Sequence, residues 1–199
     1  MRRRQPSAVA GLPCNSVFLV GFMGAGKSSV GRALGERLNW VFEDLDNRIE
    51  AREGRTVAEI FRDSGESEFR RAEHAALEDV LCELRGGARI VALGGGASVQ
   101  KENAALLKAS GVPTIFLDAP VEELWQRCST QATESGAERP LLRNREHFRE
   151  LYETRRRSYG KASLKIQTGG RPVETIAAEI AAKLKLKEIA LRTEEGEVE

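Results

Sequence analysis

The feature that most constrains this chain is the glycine-rich segment GFMGAGKS at residues 21–28. It matches G-x-x-x-x-G-K-[ST], a loop in which successive backbone N–H groups point at phosphate oxygens. An apolar segment at 17–20 comes directly before it, and Val30, Leu34 and Leu38 follow on one helical face. This strand–loop–helix context predicts a site for a nucleoside triphosphate and argues against a chance glycine-rich turn.

The residue types of this loop suit a phosphate ligand. Lys27 would bring a positive charge to the β- and γ-phosphates, and the Ser28 hydroxyl can bind Mg²⁺. The helix that follows adds the positive end of its dipole. The loop alone does not distinguish a hydrolase, a switch and a small-molecule kinase.

Short apolar segments that alternate with helical patterns predict an α/β domain with a parallel sheet. The predicted strands are 17–20, 40–43, 89–93, 114–117 and 164–167. One predicted helix follows Lys27. A second begins near Thr56, where the residues TVAE at 56–59 fit a capping box, and it ends by Gly65. A third runs from 66 to 84, three more lie around 100–110, 121–128 and 146–159, and the last begins near Pro172. The polar segment 129–138 is expected to be a mobile loop.

Composition narrows the function classes. The 199 residues carry 31 Lys plus Arg against 30 Asp plus Glu, and a net charge of +1 does not favour a globally basic nucleic-acid binder. No stretch approaches the ~20 apolar residues that span a membrane. Three cysteines without metal spacing, and a basic N-terminus without an apolar stretch, predict a cytoplasmic protein. A monomer is the expected state, since no second large apolar surface is evident.

Two aspartates follow the second predicted strand. Asp44 and Asp46 are expected at the carboxyl end of that strand, where open α/β sheets bind their ligands. One carboxylate could hold Mg²⁺, directly or through water, and the other could accept a hydrogen bond from an acceptor hydroxyl. A solvated acidic turn or a helix cap explains the same spacing equally well.

Two further segments point to an acceptor pocket. Arg70 and Glu73 are three residues apart on a helix, so the carboxylate could orient the guanidinium toward a substrate carboxylate, although a surface ion pair fits too. Gly94, Gly95 and Gly96 follow the third predicted strand and leave its end without Cβ atoms. A ligand could approach such a backbone closely, whereas the alternative is a permissive turn.

Taken together, these segments resemble the shikimate kinase family, within the nucleoside monophosphate kinase-like P-loop proteins. The resemblance covers about residues 15–185. The motifs that carry it are GFMGAGKS at 21–28, FEDLD at 42–46, GESEFRRAE at 65–73, LGGGA at 93–97, RPLL at 139–142 and YETRRRSYGKAS at 152–163. Their order and spacing are specific, although the first motif is shared by many families.

The resemblance implies ATP- and Mg²⁺-dependent phosphorylation of the 3-hydroxyl of shikimate to shikimate 3-phosphate, on the route to chorismate and aromatic amino acids. It implies a three-layer α/β/α fold with a five-stranded parallel sheet and a mobile lid. One kinase domain is expected over 15–187, with an acceptor-binding segment at about 46–85, the lid at about 128–142, and tails at 1–14 and 188–199.

The resemblance also implies residue roles, position by position. ATP would be bound by Gly24, Ala25, Gly26, Lys27, Ser28, Ser29, Arg139 and Arg171. Shikimate would be bound by Asp46, Arg70, Gly95 and Arg155, and the metal by Ser28 and Asp44. Lys27, Asp46 and the lid residue Arg139 would be catalytic.

The chain departs from the family pattern near the lid. The family usually has an arginine a few residues before RPLL, over the adenine, and here the nearest candidate is Arg127. Within kinases the rival functions are a gluconate or a nucleoside monophosphate kinase. Outside them, the rivals are a catalytically silent ATP-binding module and a generic P-loop switch.

Overall fold

The computed structural model describes residues 15–135 and 144–189, so the expected tail at 1–14 and most of the acidic tail lie outside it. The strands are β1 (Ser16–Val20), β2 (Val41–Asp44), β3 (Arg89–Ala92), β4 (Thr114–Asp118) and β5 (Leu164–Gln167). The α-helices are α1 (Lys27–Leu38), α2 (Leu45–Glu53), α3 (Val57–Glu83), α4 (Lys101–Ser110), α5 (Val121–Ser135), α6 (Arg145–Tyr159) and α7 (Val173–Leu184). All five predicted strands are confirmed, each bound within one residue.

The five strands form one parallel sheet in the order β2-β3-β1-β4-β5. β1 is central and buried along its whole length, which explains its continuous apolar sequence. The chain leaves β1 toward one edge through β2 and β3, and then returns to the other side of β1 with β4. This reversal creates the crevice at the carboxyl ends of the strands where α/β proteins bind ligands.

Helices cover the sheet, as the α/β/α expectation requires. α1 packs against α7 and against the central strands. α6 packs on the sheet through Tyr159, whose ring lies 5.3 Å from that of Phe116 in β4. The chain remains packed as far as Ile189, whose backbone N–H donates to the carbonyl of Leu38. The predicted three-layer fold is confirmed.

A single glycine bends α3. The two helices predicted on either side of Gly65 are joined in one element, with Gly65 at φ 79° and ψ 177°, outside the helical region. The predicted capping box is also present, since the Thr56 hydroxyl accepts from the Glu59 N–H and the Glu59 carboxylate accepts from the Thr56 N–H. The bend separates the capped first turns from the later part of α3, which carries Arg70 and Glu73.

The loop prediction at 129–138 is wrong over residues 129–135, because α5 continues to Ser135. Polar composition alone was misleading: no glycine or proline interrupts 129–135, and the Thr133 hydroxyl donates to the carbonyl of Ser129 one turn earlier. Residues 136–143 lie outside the described part of the chain, and they include positions 136–142 of the expected lid. Arg139 therefore has no structural description.

Candidate active site

The phosphate loop connects β1 to α1 and depends on two glycines in the left-handed region. Gly24 has φ 76° and Gly26 has φ 87°. A Cβ at Gly24 would lie only 2.9 Å from the Leu124 carbonyl oxygen and the Cys128 sulfur. The α5 helix therefore packs directly beneath the loop, and glycine is required there for both backbone angle and space.

Lys27 is folded onto its own loop. Its Nζ donates to the carbonyl oxygens of Gly21 at 3.0 Å and Phe22 at 3.1 Å. Burial lowers the pKa of this ammonium, while the nearby carboxylates of Asp46 and Asp44 act to raise it. A buried cation whose partners include neutral carbonyls can gain a stronger partner when an anionic phosphate arrives.

Asp44 has two roles in the structure. Its Oδ2 accepts a hydrogen bond from the Ser28 hydroxyl at 2.8 Å, and its Oδ1 caps α2 by accepting from the Asp46 N–H at 3.1 Å. The sequence left open whether this aspartate is a helix cap or a ligand-facing carboxylate, and its geometry serves both. α2 itself was not predicted, although Leu45 and Ile49, one turn apart and buried, are its signature.

The Ser28–Asp44 pair suits a magnesium ion. A hydroxyl and a carboxylate are hard oxygen ligands, and Mg²⁺ usually takes only one or two protein ligands beside phosphate and water. Among residues 15–135 and 144–189, no cluster of three or more His, Cys, Asp or Glu could hold a metal ion on its own. The residues present thus fit a metal that arrives with a nucleotide.

Asp46 lies in the first turn of α2, close to the phosphate loop. Burial raises the pKa of its carboxyl, and the neighbouring Asp44 raises it further, while Lys27 and Arg70 act in the opposite direction. Its buried Oδ1 has no hydrogen-bond partner among the described residues. A buried acceptor of this kind is costly unless a ligand supplies the donor.

The side chains of Asp46, Arg70 and Arg155 all approach the three-glycine turn that follows β3. A Cβ at Gly94 would lie 2.7 Å from Asp46 Oδ1, and a Cβ at Gly96 would lie 2.6 Å from both terminal nitrogens of Arg70. At Gly95 the nearest atom is a guanidinium nitrogen of Arg155, at 3.6 Å. The missing side chains are therefore what allows three charged groups from three different helices to approach one turn.

Arg70 is held by a buried carboxylate. Its Nη1 donates to Glu73 Oε2 at 2.9 Å, and the side chain of Glu73 is 0% exposed. Burial raises the pKa of Glu73, opposed by the adjacent guanidinium. The surface ion pair that the sequence also allowed is thereby excluded, because one partner is completely buried.

The three consecutive arginines in α6 have different surroundings. Arg155 lies beside Gly95, with its guanidinium carbon 5.8 Å from the centre of the Phe22 ring. Arg156 donates to Asp118 at 3.3 Å, and Arg157 is exposed. The Tyr159 hydroxyl, one turn beyond Arg155, donates to the Gly95 carbonyl.

Arg127 and Arg171, which were predicted to contact the nucleotide, have partners within the protein. Arg127 donates to the carbonyl oxygens of Gly24 and Thr168, each at 3.2 Å, so it joins α5 to the phosphate loop and to the segment after β5. Arg171 donates to the Gln167 carbonyl at 2.7 Å and pairs with Glu179 of α7 at 2.6 Å. Their predicted contacts with adenine stay predictions.

Two features of this site were not predicted. The first is which glycines the charged groups approach, since a Cβ at Gly94 or Gly96 would lie closer to Asp46 or Arg70 than a Cβ at Gly95 would lie to Arg155. Asp118, at the end of β4, was also overlooked. It accepts hydrogen bonds from Tyr152 and Arg156 of α6 and from Gln167 of β5, and it thereby fixes the helix that carries Arg155. The sequence signal that could have identified Asp118 is an acidic residue at the end of an apolar strand.

Comparison with known proteins decides the family. The family model for shikimate kinase matches residues 23–185. The chain belongs to the shikimate kinase family. The shikimate kinase of Persephonella marina is 39% identical over 85% of this chain and 99% of its own length. That of Bordetella pertussis is 42% identical over 86% of this chain and 79% of its own.

Solved structures give the same result. The shikimate kinase of Acinetobacter baumannii, solved in complex with shikimate, is similar with a TM-score of 0.76 at 34% identity, over 85% of this chain and 93% of that one. A sugar kinase from Janibacter, at 15% identity and a TM-score of 0.59, shares the fold alone. The predicted family, fold and reaction class, a kinase that uses ATP and acts on shikimate, are confirmed.

Proposed function

We propose that this chain transfers the γ-phosphoryl group of ATP to the 3-hydroxyl of shikimate, which yields ADP and shikimate 3-phosphate. The observation that carries this proposal is the convergence of Asp46, Arg70 and Arg155 on the three-glycine turn, beside the phosphate loop. Shikimate is a cyclic polyol with one carboxylate. A pocket with two guanidinium groups, one carboxylate and bare backbone complements such a molecule.

The phosphate loop would bind the nucleotide. Backbone N–H groups of residues 24–29 and the ammonium of Lys27 would contact its phosphates, with Arg139 and Arg171 as further contacts. Ser28 and Asp44 would hold Mg²⁺, which supplies charge neutralisation on the phosphate oxygens when bound. Support for this assignment comes from the hydroxyl–carboxylate pair and from the buried ammonium.

The acceptor pocket would fix shikimate by its two ends. Arg70, oriented by buried Glu73, and Arg155 would bind the carboxylate, since a guanidinium matches a carboxylate with two parallel hydrogen bonds. Asp46 would accept a hydrogen bond from the reacting hydroxyl, which gives its buried Oδ1 the donor it lacks. The backbone at Gly95 is a further contact.

Phosphoryl transfer requires mainly positioning and charge stabilisation from the protein. Asp46 would orient the 3-hydroxyl toward the γ-phosphorus and take its proton as the new oxygen–phosphorus bond forms and the bond to the ADP oxygen breaks. Lys27 lies close enough to Asp46 for the two charges to affect each other's pKa. The same ammonium would therefore stabilise the carboxylate and the transferring group.

We also propose that the chain acts in the cytoplasm, as a monomer, without nucleic-acid or membrane partners. The near-neutral charge supports the absence of nucleic-acid binding. No helix among the described residues has the length and apolar character needed to cross a membrane. Sedimentation of the purified chain would test the monomer.

The direct experiment is ADP release by the purified protein with ATP and Mg²⁺, in the presence of shikimate, gluconate or AMP. We expect release that depends on shikimate and not on the other two acceptors. A 3-deoxy analogue of shikimate should bind in competition with shikimate but release no ADP. Turnover of that analogue would place the transferred group on another hydroxyl, and release without any acceptor would indicate a simple ATPase.

A further inference from the structure

A second cavity lies outside the proposed active site. It has a volume of about 680 Å³ and is bounded by α4, the start of β4 and the segment that follows α6. None of the described residues that we assign to ATP, Mg²⁺ or shikimate lines it. Its volume falls in the range of sites that bind small molecules, roughly 300–1,000 Å³.

The lining combines an apolar surface with positive charge. Val99, Leu107 and Val112 contribute apolar side chains, and Lys101, Lys108 and Lys161 contribute ammonium groups. No acidic residue of segments 15–135 and 144–189 is among the lining residues. Within the described part of the chain, none of the three lysines forms an ion pair.

An unused hydroxyl lines the same cavity. Ser98 Oγ is buried and has no hydrogen-bond partner among the described residues. Ser98 belongs to a short 3₁₀ turn, Ala97–Val99, directly after the three-glycine turn. Buried hydroxyl groups are normally satisfied, so an unsatisfied one beside a cavity is a natural contact for a polar ligand.

We propose that this cavity is a second binding site, for a small organic anion with an apolar ring, such as an aromatic carboxylate. The lysines complement the negative charge, the Ser98 hydroxyl supplies a hydrogen-bond donor, and the apolar side chains accept the ring. Inorganic anions would leave the apolar surface exposed, and uncharged aromatic molecules would leave the lysines without a partner.

The cavity and the acceptor pocket share one side chain. Tyr159 is one of the residues that bound the cavity, and although it is almost fully buried, its hydroxyl donates to the carbonyl of Gly95 and interacts with Arg155. Tyr159 therefore connects a ligand in the cavity to Gly95 and Arg155, two of the proposed shikimate contacts. We expect occupancy of the cavity to change the KM for shikimate more than kcat. This coupling rests on the proposed function, whereas binding to the cavity does not.

The binding test uses 2-naphthoate as the probe, with shikimate at saturation to keep the probe out of the acceptor pocket. Methyl NMR spectra of protein labelled at valine and leucine report where it binds. We expect shifts at Val99, Leu107 and Val112, and no shift at Val30 behind the phosphate loop. Shifts confined to the phosphate-loop side, or no saturable shifts, would overturn the proposal.

Two variants and a control define the recognition. Replacement of both Lys101 and Lys108 by Gln should weaken naphthoate binding roughly fivefold or more, since two favourable charge interactions are lost. Ala105→Trp should fill the cavity and abolish binding. Lys187→Gln, which removes an exposed lysine outside the lining, should leave it unchanged. If all variants bind naphthoate as tightly as the parent protein does, the cavity is not the binding site.

The coupling test measures shikimate kinetics with and without saturating naphthoate. A changed KM that Ala105→Trp makes insensitive to naphthoate is the expected result. An unchanged KM would remove the coupling through Tyr159, while the NMR titration would still decide the site itself. If the parent protein does not turn over shikimate even in the absence of naphthoate, the result counts against the proposed function and not against the cavity.

Discussion

The phosphate loop and the acceptor pocket are adjacent but are built in opposite ways. The phosphate loop is a single run of eight residues, and Lys27 is held by the carbonyls of that same run. The acceptor pocket takes Asp46 from α2, Arg70 from α3 and Arg155 from α6, and brings them to a turn that follows β3. Local backbone conformation determines the first, whereas tertiary packing determines the second.

This difference predicts where each region is sensitive. In the phosphate loop, a substitution acts through backbone angles and should affect ATP binding together with stability. In the acceptor pocket, a substitution acts through one side chain at a time and should affect shikimate binding with the fold preserved. The following predictions test that separation, from the largest expected effect to the smallest.

Asp46→Asn should reduce kcat by about 10²–10⁴-fold, because it removes the group that orients the acceptor hydroxyl and accepts its proton. Steady-state kinetics with shikimate would measure this, with circular dichroism to establish that the fold is intact. Near-normal turnover would remove Asp46 from the catalytic role.

The same variant should be more stable than the parent protein at neutral pH. Burial raises the pKa of Asp46, so the folded protein binds this proton more tightly than the unfolded chain does. The ionised carboxylate therefore costs stability, and that cost disappears as the pH falls through the raised pKa. Thermal unfolding should show a higher Tm for Asp46→Asn at pH 7, with the difference shrinking toward acid. A lower Tm at pH 7 would contradict the sign.

Arg70→Ala should raise the KM for shikimate by roughly 10- to 100-fold, because a charge-assisted hydrogen bond to the substrate carboxylate is lost. The guanidinium also opposes the raised pKa of Asp46, so its removal should move the acid limb of the kcat profile to higher pH. Initial rates across the acid range would measure both effects. An unchanged KM for shikimate would contradict the role of Arg70.

Gly24→Ala should cost about 1–2 kcal/mol of stability from the left-handed backbone alone, with a further loss from the contact at 2.9 Å with the Leu124 carbonyl. The KM for ATP should rise more than the KM for shikimate. Gly54→Ala is a matched control, because Gly54 has φ 63° and no atom from elsewhere in the described chain lies within 4 Å of its Cβ position. If both variants leave the KM for ATP unchanged, the loop does not depend on this geometry.

Gly96→Ala should raise the KM for shikimate several-fold, since its Cβ would lie 2.6 Å from two guanidinium nitrogens of Arg70 and would displace them. Gly95→Ala places its Cβ at 3.6 Å from Arg155, an ordinary contact, and should have a smaller effect. The ratio of the two KM values is the readout. A larger effect at Gly95 would reverse the order that the geometry predicts.

The two regions also differ in how far sequence could predict them. The phosphate loop, the five strands and the capping box at Thr56 are local patterns, and all are found where they were expected. The pocket residues were predicted from the resemblance to a family. The structure was needed to exclude alternative roles for them, such as a surface ion pair for Arg70. Only the complete burial of Glu73 excludes that alternative.

Two features were not predicted, each for its own physical reason. The continuation of α5 over 129–135 was missed because these residues are polar, and polarity without glycine or proline does not end a helix. The contact of Gly95 with shikimate stays a prediction, whereas the close approach of Asp46 to Gly94 and of Arg70 to Gly96 was not predicted. Which glycine faces which side chain depends on packing between β3, α2 and α3, and local pattern carries no information on that.

The most direct test of the acceptor pocket is a double-mutant cycle on shikimate binding, measured by calorimetry for the parent protein, Gly96→Ala, Arg70→Ala and the double variant. If the glycine is needed only to make room for the guanidinium, Gly96→Ala should weaken binding in the parent protein and have no effect when Arg70 is already alanine. Equal effects of Gly96→Ala in both backgrounds would mean that Arg70 and the three-glycine turn do not form one pocket for shikimate.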